Sequence, residues 1–66
     1  MFTLIVLLTH TTLGTYPTQA RCESAIRHVY AQKFDPYHKF PKDQLKKFLD
    51  IQMQYVAPTE YLCQKN

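Results

Sequence analysis

Two cysteines, Cys22 and Cys63, are the residues of this 66-residue chain with the clearest chemical role. They lie near the two ends of its polar part, and in an exported chain such a pair favours one structural disulfide. That bond would close a loop of about 42 residues and stabilise the fold by roughly 4 kcal/mol by restricting the unfolded chain. In a cytosolic chain both residues would stay thiols, and an intermolecular disulfide is a third interpretation that the sequence leaves open.

The other reactive side chains form no metal-binding or catalytic pattern. His28 and His38 are ten residues apart on different predicted elements, and Asp35 is the only carboxylate near them. A zinc site needs more ligands at closer spacing, so we expect no metal and no cofactor. Ser24 is the only serine and falls on the outward face of a predicted helix. Catalysis needs a supported nucleophile or an acid and base in a pocket, so we expect that the protein is not an enzyme.

Aromatic and basic residues alternate in residues 34–41, FDPYHKFP, a segment that we call the aromatic loop. Three aromatic rings in seven residues cannot all be buried in a small core, and an aromatic patch rimmed by positive charge is a reasonable contact surface. In an alternative interpretation, two of the rings, Phe34 and Phe40, close the junction between two helices and only Tyr37 is exposed. The candidate partner-binding residues are Phe34, Tyr37, His38, Lys39 and Phe40.

The charge of the chain limits the partners that it can have. Eight Lys and Arg against five Asp and Glu give a formal net charge of +3, which is too small and too dispersed to predict nucleic-acid binding. Acidic residues also interrupt the basic ones on the predicted helix faces, as Asp43 and Asp50 do around Lys46 and Lys47. Membrane-disrupting peptides concentrate positive charge on one face, so the membrane surface is only a weak candidate partner.

Two segments have the period of an amphipathic helix, and both carry an acid-first pair at i and i+4, Glu23 to Arg27 and Asp43 to Lys47. In residues 42–56 the apolar side chains fall on one face, and Pro58 predicts that this helix ends near Val56. Residues 21–34 supply a second helix whose apolar face can cover the first. The residues of these two faces are Leu45, Phe48, Leu49, Tyr55 and Val56 in one and Cys22, Ala25, Ile26, Val29, Tyr30 and Phe34 in the other.

The arrangement of these helices predicts the fold class. Asp35 and Pro36 form a turn signal, and a connection as short as residues 34–41 favours antiparallel helices. Thr59 is a candidate N-cap for a last helical turn that carries Tyr61, Leu62 and Cys63. We therefore predict an all-α fold, a small antiparallel helical hairpin with a short C-terminal helical turn, held by one disulfide.

Residues 1–20 contain no Lys, Arg, Asp or Glu, and the composition changes sharply at Arg21. Residues 1–8 are apolar and too short to cross a bilayer, which takes about 20 residues, but they suit the hydrophobic part of a secretory signal. Small residues at Thr18 and Ala20 predict cleavage before Arg21, and a second candidate cut follows Gly14. We expect residues 1–20 to be a cleaved signal peptide and residues 21–66 to be the mature domain. The alternative is an uncleaved strand or helix that packs on the rest of the chain.

Together these features predict a secreted, extracellular, monomeric peptide that acts by binding an extracellular protein or receptor. In size and layout alone, the chain resembles short secreted animal peptides of the hormone, venom or seminal-fluid type. A membrane-active defence peptide is one alternative function. A small membrane-anchored or intracellular accessory subunit, which would keep residues 1–20, is another.

Overall fold

The computed structural model describes all 66 residues and combines helices with one three-stranded antiparallel sheet. The fold is therefore mixed α and β, and the all-α prediction is wrong. The elements are strand β1 (Phe2–Val6), strand β2 (Thr11–Tyr16), helix α1 (Gln19–Phe34), helix α2 (Lys42–Ile51), a π-helical segment (Gln52–Val56), helix α3 (Ala57–Glu60) and strand β3 (Tyr61–Lys65).

Helix α1 starts two residues earlier than its apolar period predicts. Thr18 has an extended backbone, and its Oγ1 accepts a hydrogen bond of 3.2 Å from the Arg21 N–H, which caps the first turn. The predicted inward face is confirmed at Cys22, Ile26 and Tyr30, which are all buried. Their spacing of four residues places them on one side of the helix.

The helix that begins at Lys42 does not end at Val56 as predicted. Its backbone widens into the π-helical segment, where the Ala57 N–H donates to the Gln52 carbonyl five residues back, and then continues as α3. Proline inside a regular α-helix lacks one donor and collides with the preceding turn. The wider turn places Pro58 at the start of α3, where the missing N–H costs nothing.

The predicted C-terminal helical turn is also wrong. Thr59 does not cap it, since its hydroxyl donates instead to the Val56 carbonyl at 2.6 Å, and the backbone becomes extended at Tyr61. Residues Tyr61–Lys65 then pair with β1 along their whole length. This pairing satisfies a complete row of backbone groups, which one isolated helical turn cannot do.

Strand β1 lies at the centre of the sheet, in the order β2-β1-β3, and is antiparallel to both neighbours. Leu4 is opposite Gly14 on one side and Cys63 on the other. The register with β2 shifts by one residue between Leu4 and Ile5, which marks a bulge. Residues 1–16 are thus a β-hairpin in this structure, and removal of residues 1–20 on export remains a prediction.

The core lies between the sheet and the helices. Six apolar residues form one buried cluster, and the sheet covers part of α1 that a helical hairpin would leave open. The helical-hairpin description is therefore wrong, although α1 and α2 do meet. The cluster contains Leu4, Cys22, Ile26, Tyr30, Leu49 and Ala57.

The predicted disulfide between Cys22 and Cys63 is confirmed, with 6.1 Å between the two Cα atoms and no free cysteine. It joins α1 to β3 within one chain. Cys22 is completely buried and Cys63 is partly buried, so the bond packs against the core.

Candidate functional site

Asp35 organises the aromatic loop. It is only 4% exposed, and its two carboxylate oxygens accept backbone N–H groups from Lys39 at 2.7 Å and from Phe40 at 3.1 Å. Its own N–H donates to the Ala31 carbonyl at 2.9 Å, which ends α1. Hydrogen bonds to a charged group contribute about 1.5–3 kcal/mol each, so one buried carboxylate fixes both sides of the loop.

The loop reverses direction at His38. This residue has a φ of 55°, in the left-handed region that non-glycine residues adopt infrequently and at a cost of roughly 1–3 kcal/mol. The His38 N–H donates to the Asp35 carbonyl at 3.3 Å, and the next N–H reaches the Asp35 carboxylate. These bonds offset the cost and hold one loop conformation.

Three phenylalanine rings close the base of the loop. Phe34 stacks on Phe40 with 4.8 Å between ring centroids and on Phe48 with 3.7 Å. Phe34 therefore lies between the other two and is half-buried, as the helix-junction interpretation describes. Phe40 keeps 45% of its surface exposed. Sequence reasoning assigned Phe48 to the face of its helix and did not anticipate that it would support this loop.

The outer side of the loop faces solvent. Tyr37 is 77% exposed, and the Nζ of Lys39 lies 5.5 Å above the centre of the Tyr37 ring, within range of a cation–π contact. His38 is exposed beside them. The structure thus brings together Tyr37, His38, Lys39 and the outer side of Phe40, while Phe34 acts as their support.

A cleft of about 430 Å³ lies next to the loop, between α1 and the start of α2. Both His28 and His38 line it, together with Asp35, whose carboxylate oxygens already accept loop N–H groups. No group of three or more His, Cys, Asp or Glu residues is placed to hold a metal ion. The cleft has room for a side chain of a partner next to His38.

A second polar contact, which sequence reasoning missed, joins α1 to the last residue of α3, next to the sheet. The Tyr30 hydroxyl donates to Glu60, and the Tyr61 ring meets the Tyr30 ring edge-on with 5.7 Å between centroids. Burial, followed by the hydrogen bond and the charge of Glu60, raises the pKa of Tyr30 far above its usual value. Tyr30 is therefore a structural hydrogen-bond donor that keeps its proton. No local pattern indicates this contact, because Glu60 lies beyond the predicted helix end at Val56 and 30 residues from Tyr30.

The only salt bridge is between Arg27 of α1 and Asp50 of α2, at 2.8 Å. The two predicted pairs within helices are not formed. Glu23 instead accepts a weak 3.4 Å hydrogen bond from Gln19. Both partners of the salt bridge are partly exposed, so it aligns the helices and contributes little to stability.

Comparison with protein families, with curated proteins and with solved structures finds no match to this chain. None of its helices has the length and apolar character needed to cross a bilayer.

Proposed function

We propose that this protein is a small exported ligand that binds an extracellular protein or receptor through the outer side of the aromatic loop. The observation that carries the proposal is the support given to the loop by Asp35. A buried carboxylate and a strained His38 backbone hold an exposed aromatic ring in one orientation. A preformed loop that presents an exposed aromatic ring supports a role in binding.

A preformed loop lowers the entropy that is lost when a partner binds. Ordering a flexible contact side chain costs about 0.5–1.5 kcal/mol, and Tyr and other aromatic residues dominate many interfaces because they bury a large area with few rotatable bonds. Tyr37 is already positioned by its contact with Lys39, and Phe40 by its stack on Phe34. Binding would therefore change the conformation of the loop little.

The charge around the loop indicates what the partner surface should offer. Lys33, Lys39 and Lys42 surround the loop, and the one acidic residue in the segment, Asp35, is buried. An apolar pocket for Tyr37 with an acidic rim would complement this surface. The same rim would steer association, so the rate of binding should fall as salt increases.

Export is the second part of the proposal. An intramolecular disulfide in so short a chain is typical of oxidising compartments, and the uncharged residues 1–20 suit a signal peptide that is removed. The confirmed disulfide and the absence of a membrane-spanning helix are compatible with an extracellular location.

A cell-surface binding experiment tests the loop. The fluorescently labelled secreted protein is added to a panel of cell lines, and saturable binding that unlabelled protein displaces identifies a responsive line. Replacing Tyr37 and Phe40 by Ala should reduce this binding at least about tenfold, since each such truncation at an interface centre costs more than about 1 kcal/mol. Tyr55→Ala is the matched control, because Tyr55 is also 67% exposed but lies in the π-helical segment.

Equal binding by the loop variant and by the Tyr55→Ala control would exclude the loop as the contact surface. The competing membrane-active function predicts a different result. Under that alternative, the protein at micromolar concentration would release dye from vesicles that contain anionic lipid, and the release would not depend on Tyr37. Intact vesicles together with a Tyr37-dependent signal on cells would favour the extracellular ligand.

A further inference from the structure

Strand β1 occupies the place in the fold that an exported chain would lose. Removal of residues 1–20 would leave β3 without its hydrogen-bonding neighbour and would uncover the core next to α1. We infer that, in the processed chain, this place binds an extended apolar segment of the partner protein, which pairs with β3 as β1 does. The inference rests on the proposed export and cleavage. We call the place beside β3 the β1 groove.

The backbone of β3 defines the direction and length of the segment that fits. Five residues of β1 pair antiparallel with β3, from Phe2 opposite Lys65 to Val6 opposite Tyr61. Further hydrogen bonds continue the pairing at both ends, from Leu7 N–H to the Glu60 carbonyl at 2.9 Å and from Asn66 N–H to the Met1 carbonyl at 3.0 Å. A bound segment would therefore span about seven residues as an added strand.

The side chains of β1 define the composition that fits. Alternate residues of a strand face opposite sides, so the face of Phe2, Leu4 and Val6 meets the helices. Leu4 is only 1% exposed and belongs to the same cluster as Cys22 and Ile26. Residues 1–16 contain no Lys, Arg, Asp or Glu. The groove thus accepts an uncharged segment with apolar residues at every second position and a leucine-sized residue at its centre.

The position of the predicted cut determines whether cleavage or the folding of α1 comes first. Ala20 lies in the first turn of α1, which Thr18 caps. Proteases favour exposed, irregular segments, so cleavage after Ala20 would precede folding of α1. The processed chain would then fold with the groove empty and would expose part of its core until a segment binds.

The β1 groove can be tested in a full-length protein whose backbone is cut once, so that every residue is still present. A specific protease site is inserted between Tyr16 and Pro17, and the folded, oxidised protein is cut there. It is then unfolded in urea with the disulfide intact and refolded with excess fluorescent probe, a peptide of residues 1–8 with a lysine tail for solubility. The probe should bind the cut protein at one per chain, and the uncut protein should bind none because its own β1 fills the groove.

Two variant probes identify the face that binds. Leu4→Asp in the probe should weaken binding by about a hundredfold or more, since an unpaired carboxylate would enter the core. Thr3→Asp adds the same charge at the neighbouring residue on the opposite face, and its effect should stay within about tenfold. Any one of three results would overturn the inference. These are equal effects of the two variants, equal binding of the probe to the cut and uncut proteins, and no binding of the probe at any excess.

Two further results would overturn it without affecting the loop. If the cut protein fills the groove with a second copy, its measured mass in solution would double and the probe would not bind. If the protein secreted by cells has an intact mass that begins at Met1, its own strand fills the groove. In both cases Tyr37-dependent cell binding would still stand, so failure of the groove is distinguishable from failure of the proposed ligand function.

Discussion

The two ends of helix α1 are held by different kinds of contact. At the C-terminal end, which we call the loop end, the partners of Phe34 and Asp35 lie within about fifteen residues along the chain. At the N-terminal end, which we call the sheet end, Cys22 is bonded to Cys63, and β1 pairs with a strand almost sixty residues away. The loop end can form from local sequence, whereas the sheet end requires the whole chain. The four predictions that follow separate the two ends.

Reduction of the disulfide should have the largest effect and should act on the sheet end. Reductant should lower the free energy of unfolding by about 4 kcal/mol, because the closed loop no longer restricts the unfolded chain. Urea unfolding with and without reductant measures this. In addition, amide exchange should accelerate more at Leu62 and Gln64 than at Lys39. A Cys22→Ala/Cys63→Ala variant should not respond to reductant, and uniform acceleration at both ends would show that they unfold as one unit.

Truncation of Leu4 should have the next largest effect. Leu4→Ala should lower the free energy of unfolding by about 3 kcal/mol, since it leaves a cavity at the centre of the core. Leu8→Ala is the matched control, because Leu8 is 91% exposed in the turn after β1 and its loss should cost less than about 0.5 kcal/mol. Similar urea midpoints for the two variants would show that β1 does not lie in the core.

Replacement of Asp35 should affect the loop end alone. Asp35→Asn keeps the shape but offers an NH₂ group to one of two N–H donors, so we expect a loss of about 2 kcal/mol. Hydrogen exchange of the Lys39 and Phe40 amides should accelerate. Exchange of the β3 amides should change only as much as the free energy of unfolding of the whole protein requires. Asp50→Asn breaks the exposed salt bridge and should cost less than about 1 kcal/mol. Unchanged loop amides in Asp35→Asn would contradict the role given to this carboxylate.

The Tyr30 hydroxyl should have the smallest effect, and that effect depends on pH. Since burial and Glu60 raise the pKa of Tyr30 in the folded protein, its contribution is complete below about pH 10, where unfolded tyrosine keeps its proton. Above that pH the unfolded chain releases a proton that the folded chain retains, so stability falls as pH rises. Tyr30→Phe should cost about 1 kcal/mol at pH 8 and flatten this decline.

Urea midpoints between pH 8 and pH 11 measure the change. Tyr55→Phe controls for the loss of a hydroxyl at an exposed ring. If Tyr30→Phe shows the same decline as the wild-type protein, the hydroxyl does not link α1 to Glu60 of α3.

The sequence predicted the loop end well because its signals are local. The spacing of Cys22, Ile26 and Tyr30 gave the buried face of α1, and the Asp35-Pro36 pair gave the turn. The disulfide was also predictable, since only two cysteines are present. The pattern did not predict that Phe48 supports the aromatic loop. The stacking of Phe48 on Phe34 depends on how α2 is rotated against α1.

The sheet end was not predictable from local patterns. Residues 2–6 show no sustained alternation, because Ile5 on the outer face of β1 is as apolar as Leu4 and Val6 on the inner face, so they look the same as the hydrophobic part of a signal peptide. Residues 61–65 are too short to show an alternation without their partner. Pro58 predicted a helix end, but the π-helical segment before it accommodates the proline and the helix continues as α3. Strands β1 and β3 therefore form by pairing with each other, and neither has a local sequence pattern that predicts a strand.

The pairing of β1 with β3 also determines when β1 can complete its hydrogen bonds during synthesis. A ribosome makes Phe2 63 residues before its partner Lys65. At about 5–20 residues per second, roughly 3–13 seconds separate the two during synthesis. Throughout that interval the most apolar strand of the protein has no neighbour on one side. Any cellular factor that recognises extended apolar segments therefore meets β1 before β3 exists, so the fate of residues 1–20 is a competition in time between capture and pairing with β3.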